Sequence, residues 1–398
     1  MSDDEKSQED IILRDEADIA ADNNTVHDKA VYDTVHEAVY DAVHDKTVYD
    51  AVHDKTVKRK RRISVTILSC ALVLAALLLL YAFLTRLIMP KYATDLVEGS
   101  MISQYYDEAG GHDVIFVGDC EVYANFSPME LYREAGITAW VRGSPQQLIW
   151  QSYYVLEETF TYETPEAVVL NVNAMRYSEP VSEAYNRLTI DYMRWSPSKV
   201  GIILASMTDE ETFFSYVFPL MRYHSRFDEL TQEDFDYLFT VNYSTWNGYQ
   251  MNKEVNPVGT LPAERTLADY SFGDICWEYL DKIRELCEEN ESELILIKAP
   301  SVYPYWYDEY DEQIQEYADT HGLSFYNFLD AADEIGIDYS TDTYDAGLHL
   351  NLSGATKLSV YFADILSEEH GIADHRGDAD IAAEYDEKLR LYDEAAAE

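Results

Sequence analysis

An apolar segment without any charged side chain, residues 63–85, constrains this chain more than any other feature of its sequence. As an α-helix, its 23 residues would extend about 34 Å, which is enough to cross the roughly 30 Å hydrocarbon core of a bilayer. A helix buried in a soluble protein is normally shorter and keeps a polar face. The segment therefore predicts a single transmembrane helix over residues 63–88.

Basic residues lie mainly on the N-terminal side of this segment. Lys and Arg occupy all five positions from 58 to 62, whereas only Arg86 and Lys91 stand close on the other side. Because cytoplasmic flanks carry the excess of positive charge, we expect a cytoplasmic N-terminus and an extracytoplasmic main domain. A cleaved signal peptide would have a shorter n-region and a shorter apolar core. The predicted location is therefore the cell membrane, crossed once.

The chain is strongly acidic, with a formal net charge of −46. Residues 1–62 contribute −6 of this charge, and residues 63–398 contribute −40. Such a field repels other polyanions at long range, so we expect no nucleic-acid partner.

The four cysteines do not indicate a disulfide framework. Cys70 falls in the apolar segment, and Cys276 and Cys287 are eleven residues apart on one predicted helix. That separation is about 16 Å along the helix axis, which no disulfide spans. Cys120 remains as an unpaired thiol.

Residues 1–62 are predicted to form a disordered cytoplasmic tail. The tail contains an imperfect VHD/VYD repeat that begins at positions 26, 35, 43 and 52. Its period is far shorter than that of solenoid repeats, and the valine spacing fits neither a helix face nor a coiled-coil seam. The repeated histidines could bind a metal ion, but we favour a flexible tail or a docking segment.

Short apolar segments alternate with helical patterns between residues 112 and 370. Five strands are predicted, at residues 114–117, 137–141, 167–172, 293–297 and 323–326. This alternation is typical of an α/β fold with a parallel sheet. Residues 178–271 are too long for one crossover, so we expect them to form a helical cap over one sheet edge. Residues 89–111 would be a juxtamembrane segment, and residues 371–398 an acidic tail forming a solvated helix.

Polar residues follow four of the predicted strands: Asp119 and Cys120, Gly143 and Ser144, Asn173, and Lys298. A loop before the last helix of this domain adds Asp345 and His349. Ligands of open parallel sheets bind at the carboxyl ends of the strands. A nucleophile, oxyanion donors and an acid–histidine pair could therefore meet at this edge, and acyl transfer needs these groups.

The order of these motifs resembles the SGNH (GDSL) hydrolase and acyltransferase superfamily over about residues 112–368, and most of all its membrane-anchored Gram-positive members. Gly118-Asp119-Cys120 is similar to the Gly-Asp-Ser nucleophile block, with Cys in place of Ser. The resemblance implies a flavodoxin-like three-layer α/β sandwich with a helical cap. It also implies that Gly143 and Asn173 stabilise an oxyanion, that His349 is the general base, and that Asp345 orients it.

The resemblance further implies an extracytoplasmic esterase or O-acyltransferase that acts on acyl esters of cell-wall or surface polysaccharide. It implies no metal and no organic cofactor. Asp119, Arg222 and Lys298 are candidate substrate contacts. The aromatic residues that follow the fourth strand are either a sugar-stacking wall or an ordinary amphipathic surface: Tyr303, Tyr305, Trp306 and Tyr307.

Several alternatives stay open in the sequence. Asp345 and His349 are one residue further apart than in the family pattern, so Asp342 also qualifies as the residue that orients His349. Asn171 competes with Asn173 because residues two apart share a strand face. A neighbouring histidine would lower the pKa of Cys120, whereas Asp119 would raise it. A chain that kept this fold without catalysis could instead be a binding or assembly partner of a multi-pass membrane acyltransferase.

Overall fold

The computed structural model describes most of the chain: residues 26–89, 98–180, 182–236, 238–239 and 246–398. The chain divides into two compact units between Ala82 and Phe83. The prediction of disorder for residues 1–25 lies outside the described residues.

The first unit is helical. Helix α1 is Val26–His44, and helix α2 is Lys46–Ile88. Residues 26–62, for which the repeat predicts disorder, are therefore helical instead. The absence of Gly and Pro between residues 26 and 62 permits this, and the Asp45 carboxylate accepts a hydrogen bond of 2.8 Å from the Thr47 amide at the start of α2.

The C-terminal part of α2, His53–Ile88, has a mean hydropathy of 2.8 in its most apolar window, and that window is not buried. Within the described ranges, it is the one helix long and apolar enough to cross a membrane. The helix that the sequence predicts over residues 63–88 is thus present, as the end of a longer one.

The second unit is built on a five-stranded sheet in which every neighbouring pair of strands is parallel. Its strands are β1 Val114–Gly118, β2 Ala139–Gly143, β3 Ala167–Asn171, β4 Glu293–Lys298 and β5 Ser324–Asn327. Their order in the sheet is β2-β1-β3-β4-β5. The predicted α/β fold with a parallel sheet is confirmed, and the strand order is compatible with a flavodoxin-like sandwich.

Helices cover both faces of this sheet because both faces are apolar. Val114 and Phe116 join one buried cluster, whereas Ile115 and Val117 join the other. The helices around the first cluster are α4 Cys120–Asn125, α5 Pro128–Ala135, α15 Leu352–Glu368 and α16 Ala379–Ala397. Those around the second are α3 Glu98–Glu108, α6 Ile149–Thr159, α8 Pro197–Ser206, α12 Asp274–Glu289 and α13 Asp308–His321. A short helix, α14 Ala332–Ile335, follows β5.

The C-terminal helix α16 is packed rather than solvated, which corrects the sequence prediction for the acidic tail. Tyr385 and Tyr392 lie on one side of α16 and are buried in the first cluster. The Tyr385 ring stacks on Tyr132 of α5 with ring centroids 4.0 Å apart. The two tyrosines are seven residues apart, and this spacing gives an acidic, Ala-rich helix one apolar face.

The long insertion between β3 and β4 contacts both an edge strand of the sheet and the loop before α15. Its helices are α7 Glu183–Ile190, α8, α9 Phe213–Val217, α10 Leu220–Tyr223 and α11 Gln232–Asp236. Asn247 accepts a hydrogen bond of 2.9 Å from the Val141 amide of edge strand β2. Further on, the Asn256 amide donates to the carbonyl oxygen of Thr343 at 2.9 Å, so the insertion contacts the loop that carries Asp345 and His349.

Candidate active site

Cys120 lies at the turn between β1 and α4. Asp119 is the N-cap of α4, and its carboxylate accepts a hydrogen bond of 3.1 Å from the Glu121 amide. Gly118 has a φ of +153°, and a Cβ atom there would lie 3.0 Å from the Asn171 Cβ. The tight turn therefore requires glycine, and it puts Cys120, a partly buried residue with a free thiol, at the carboxyl end of a central strand.

His349 and Asp345 form a bidentate pair in the loop before α15. The Asp345 carboxylate lies 2.5 Å from Nδ1 of His349 through one oxygen and accepts from the His349 amide at 2.7 Å through the other. Between them, Ala346 has a φ of +61° and Gly347 a φ of +96°. These two left-handed residues fold the loop back, so that the longer spacing still brings the carboxylate to the ring.

The His349 ring lies close enough to the Cys120 side chain for each group to shift the pKa of the other. Because Asp345 occupies Nδ1, Nε2 is the ring nitrogen available to the thiol. The Tyr344 ring stacks on His349 at an interplanar angle of 14° and limits its rotation. Asp345 is thus hydrogen-bonded to His349, and His349 is electrostatically coupled to Cys120; we call these three residues the thiol network.

Protonation of this network is shifted from the ordinary values. Burial raises the pKa of the Cys120 thiol; His349 lowers it, and the carboxylates of Asp119 and Glu121 add to the increase. Burial alone would lower the pKa of His349, but Cys120 and Asp345 raise it well above its usual value. Burial and the nearby carboxylates therefore oppose formation of the Cys120 thiolate, whereas His349 favours it.

Asp342, the other candidate for orienting His349, is used elsewhere. Its buried carboxylate accepts from the Asp338 amide at 2.8 Å and from Nζ of Lys357 at 2.6 Å. These bonds fix the start of the loop to helix α15. Of the two aspartates, it is Asp345 that reaches the imidazole.

The two residues predicted to hold an oxyanion both border the Cys120 turn. A Cβ atom on Gly143 would lie 2.6 Å from Cγ2 of Val122 and 3.1 Å from the Asp119 carbonyl oxygen, so only glycine allows β2 to approach this closely. Asn173 follows β3 in a 3₁₀ helix, Val172–Arg176, and donates from Nδ2 to the Asp119 carboxylate at 2.6 Å. One hydrogen of the Asn173 amide is therefore already committed to Asp119.

Asn171, the alternative to Asn173, does not reach the surface of the site. It is fully buried, and its Nδ2 donates to Asp119 at 3.0 Å and to Glu121 at 2.9 Å. Its carbonyl oxygen accepts from the Ala299 amide at 3.3 Å. Both ends of this amide are consumed, so Asn171 holds the turn together and is not available to a substrate.

Lys298 is likewise a framework residue rather than a substrate contact. It is completely buried, and its Nζ lies 3.0 and 3.1 Å from the two carboxylate oxygens of Glu121 and 2.6 Å from the Ala299 carbonyl oxygen. We call Lys298, Glu121 and Asn171 the lysine network. Asp119 joins it to the thiol network and is itself buried; burial, followed by the charge of Glu121, raises the pKa of Asp119.

The structure does not bring Arg222 to this site. Arg222 lies on α10 and forms an ion pair of 2.6 Å with Glu183 on α7. Its guanidinium also lies over the Tyr223 ring, 5.7 Å from the centroid. These contacts are all within the insertion.

A cavity of about 380 Å³, connected to Asn173 through Arg176, is lined by residues that include Arg176, Tyr177, Arg265, Tyr303, Tyr305 and Tyr307. Three of the four predicted wall aromatics thus line a cavity, whereas Trp306 packs near Phe272 and lines a separate cavity. Arg176 and Glu121 were not predicted as site residues. Their only sequence signals are their positions, three residues after Asn173 and one after Cys120.

Among the residues that the structure describes, no group of three His, Cys, Asp or Glu side chains is arranged to hold a metal ion. No protein-family model, curated protein or solved structure matches this chain.

Proposed function

We propose that this chain is an extracytoplasmic esterase or O-acyltransferase of the SGNH type that acts on acyl esters of cell-wall or surface polysaccharide. The observation that carries the proposal is the hydrogen-bonded pair of His349 and Asp345, electrostatically coupled to Cys120, at the carboxyl edge of a parallel sheet. The strand order supports a flavodoxin-like three-layer sandwich, on which the insertion serves as the helical cap.

The reaction would proceed through a thioester. Sγ of Cys120 attacks the acyl carbonyl carbon while Nε2 of His349 takes the thiol proton, and Asp345 stabilises the resulting imidazolium. The alcohol of the polymer leaves with that proton. Water or a second hydroxyl then attacks the thioester while His349 takes its proton. The C–S bond breaks, Sγ of Cys120 leaves with that proton, and the product is either the free acid or a new ester. Proton transfer of this kind contributes about a hundred- to ten-thousandfold to the rate.

Charge on the substrate oxygen in the tetrahedral state would be met by donors around the Cys120 turn. These are the backbone N–H groups of Cys120 and Gly143 and the remaining hydrogen of the Asn173 amide. One such donor contributes about a hundred- to a thousandfold to kcat. The bond from Asn173 to Asp119 orients the amide before substrate arrives.

We further propose that α2 crosses the cell membrane once, with the N-terminus in the cytoplasm. The long uncharged segment and the five basic residues before it support this topology. The site would then be tethered outside, where surface polymers are available as substrates. A multi-pass membrane acyltransferase is a candidate partner, and nucleic acid is not.

A second candidate function is a non-catalytic binding or assembly role for the same fold. The raised pKa of Cys120 favours it, because the thiolate is the nucleophilic form of cysteine. Such a protein would keep the fold while leaving esters intact.

Hydrolysis of p-nitrophenyl acetate by the full chain in detergent separates the two functions. For an enzyme, Cys120→Ala and His349→Ala each lower kcat/KM by about a thousandfold or more with an unchanged circular dichroism spectrum. Cys120→Ser keeps part of the activity, and Cys70→Ala, whose thiol lies on helix α2, keeps all of it. Equal inertness of the folded wild type and both Ala variants would establish the binding role instead.

A further inference from the structure

The cavity lined by Arg176 and Arg265 concentrates positive charge in an otherwise acidic protein. Arg176 and Arg265 both line it, and its lining contains no Asp or Glu side chain, although the chain has 75 such residues. Within the part of the chain that the structure describes, neither arginine forms an ion pair. Unpaired guanidinium groups facing one cavity are unusual where carboxylates outnumber cations this strongly.

Arg176 connects the cavity to the reacting groups. Its Nη1 donates to Oδ1 of Asn173 at 3.1 Å, and its Nη2 donates to the Tyr177 hydroxyl at 3.2 Å. Asn173 in turn donates to Asp119, the residue that precedes Cys120. The guanidinium is therefore one side chain away from the turn that carries the thiol, and it is held there by two neutral partners that leave its charge uncompensated.

The lining of the cavity also includes tyrosine rings that hydrogen bonds hold in place. The Tyr305 hydroxyl donates to the Pro262 carbonyl oxygen, and the Tyr307 hydroxyl donates to the carbonyl oxygen of Arg265 at 2.9 Å. Ring centroids of Tyr303 and Tyr305 are 6.1 Å apart. Rings held by hydrogen bonds offer flat apolar surface at little entropic cost, which suits the faces of a polyhydroxyl ring.

We infer that this cavity binds an anionic group, a phosphate or a carboxylate, on the polyhydroxyl substrate whose acyl ester Cys120 attacks. The planar fork of Arg176 matches the oxygens of either group, and the tyrosine wall takes the adjoining ring. The identification of this cavity as a substrate subsite rests on the proposed function, whereas the preference for an anion rests on the cavity alone.

Binding to the full-length Cys120→Ala variant in detergent tests the inference without any chemistry. Three ligands that differ in one substituent are titrated by calorimetry: glucose 6-phosphate, glucuronate and glucose. We expect at least one of the two anions to bind about ten- to a hundredfold more tightly than glucose, since a hydrogen bond to a charged group is involved. Which anion binds more tightly distinguishes phosphate from carboxylate.

Arginine variants assign the preference to the cavity. Arg176→Met should weaken anion binding about ten- to a hundredfold, and Arg265→Met, at the exposed rim, about two- to fivefold. Arg265→Met also keeps the test decisive if loss of Arg176 disturbs Asn173 and the fold. The matched control is Arg194→Met, because Arg194 lies over the ring of Tyr106 and is not among the residues that line this cavity.

Equal affinity for glucose and both anions, no detectable binding of any of the three, or an equal loss in Arg194→Met would overturn the inference. Failure of the proposed function looks different. In that case the wild-type chain does not hydrolyse p-nitrophenyl acetate, yet the anion preference and its dependence on Arg176 persist.

Discussion

Two polar networks meet at Asp119, and they contain similar groups in different surroundings. In the thiol network, side-chain exposure is 11% for His349 and 29% for Asp345, whereas in the lysine network it is 0% for Lys298 and 4% for Glu121. Both include a carboxylate within 3.0 Å of a basic nitrogen. A pair that reaches the surface can exchange protons with a substrate. A sealed pair can only hold its neighbours, because removing either charge leaves the other one buried.

This difference in exposure distinguishes residues that can take part in the reaction from neighbouring residues that only hold the Cys120 turn in place. Asn171 belongs to the lysine network, whereas Asn173 borders the thiol network. Both side-chain amides donate to the Asp119 carboxylate. The lysine network fixes Asp119, and Asp119 fixes the turn and the Asn173 amide. Variants of the two networks should therefore fail in different ways, the first in rate and the second in stability.

The largest expected effect is on rate, from Asp345→Asn. An amide cannot stabilise the imidazolium and holds the ring less firmly, so ester hydrolysis should fall by about a thousand- to ten-thousandfold. The free energy of unfolding should change little because Asp345 is partly exposed. Steady-state kinetics and urea unfolding of the full chain in detergent measure both quantities.

Asp342→Asn is the matched control for that variant. It replaces a buried aspartate of the same loop that pairs with Lys357, so the folded protein should lose stability and keep a rate close to that of the wild type. If Asp342→Asn instead loses the rate and Asp345→Asn keeps it, the assignment of Asp345 to the thiol network is wrong.

Lys298→Met should have the next largest effect, on stability. It leaves the Glu121 carboxylate buried without its cation, and breaking such a pair costs about 3–5 kcal/mol of the free energy of unfolding. Adding Glu121→Gln to the same chain should recover most of the loss, because the buried charge is then gone. Urea unfolding is the measurement.

Lys282→Met is the control, since the ion pair of Lys282 with Glu278 is exposed and should contribute less than about 1 kcal/mol. A Lys298→Met chain as stable as this control would remove the distinction between the two networks. A double variant that is no more stable than Lys298→Met would show that the loss is not caused by the unpaired Glu121 charge.

Much of the sheet could be predicted from the sequence because strands β1, β2 and β3 and most of β4 are short, buried and mainly apolar segments. The position of Cys120 followed from the same pattern, since a polar residue directly after such a strand lies at its carboxyl end. Lys298 was different. A lysine at a strand end is ordinarily solvent-exposed, and only the tertiary contact with Glu121, far away in the chain, buries it.

The choice between Asp342 and Asp345 depends on backbone geometry that spacing does not reveal. Two consecutive left-handed residues, Ala346 and Gly347, turn the loop so that the more distant pairing forms, and an alanine at such a position carries no sequence signal. Helix α1 and the first part of α2, which carry the VHD/VYD repeat, show a similar limit of sequence-based prediction. Their valine spacing matches no packing partner, so periodicity alone could not indicate a helix whose described side chains are all exposed.

The smallest expected effect is a shift in pH dependence, and it belongs to the thiol network. The pKa of His349 is raised by Cys120 and Asp345 against the effect of burial, and burial raises the pKa of Cys120. Loss of a proton from either group favours the attacking form. The value of kcat/KM should therefore rise with pH, by up to about tenfold per pH unit, and this rise should occur at a pH above the ordinary pKa of histidine.

Asp345→Asn should move this rising limb of the pH profile to lower pH, because the carboxylate no longer stabilises the imidazolium. Lys282→Met should leave it in place. A limb that stays at the same pH without Asp345 would mean that this carboxylate does not control the protonation of His349, and the thiol network would then be a structural contact like its neighbour.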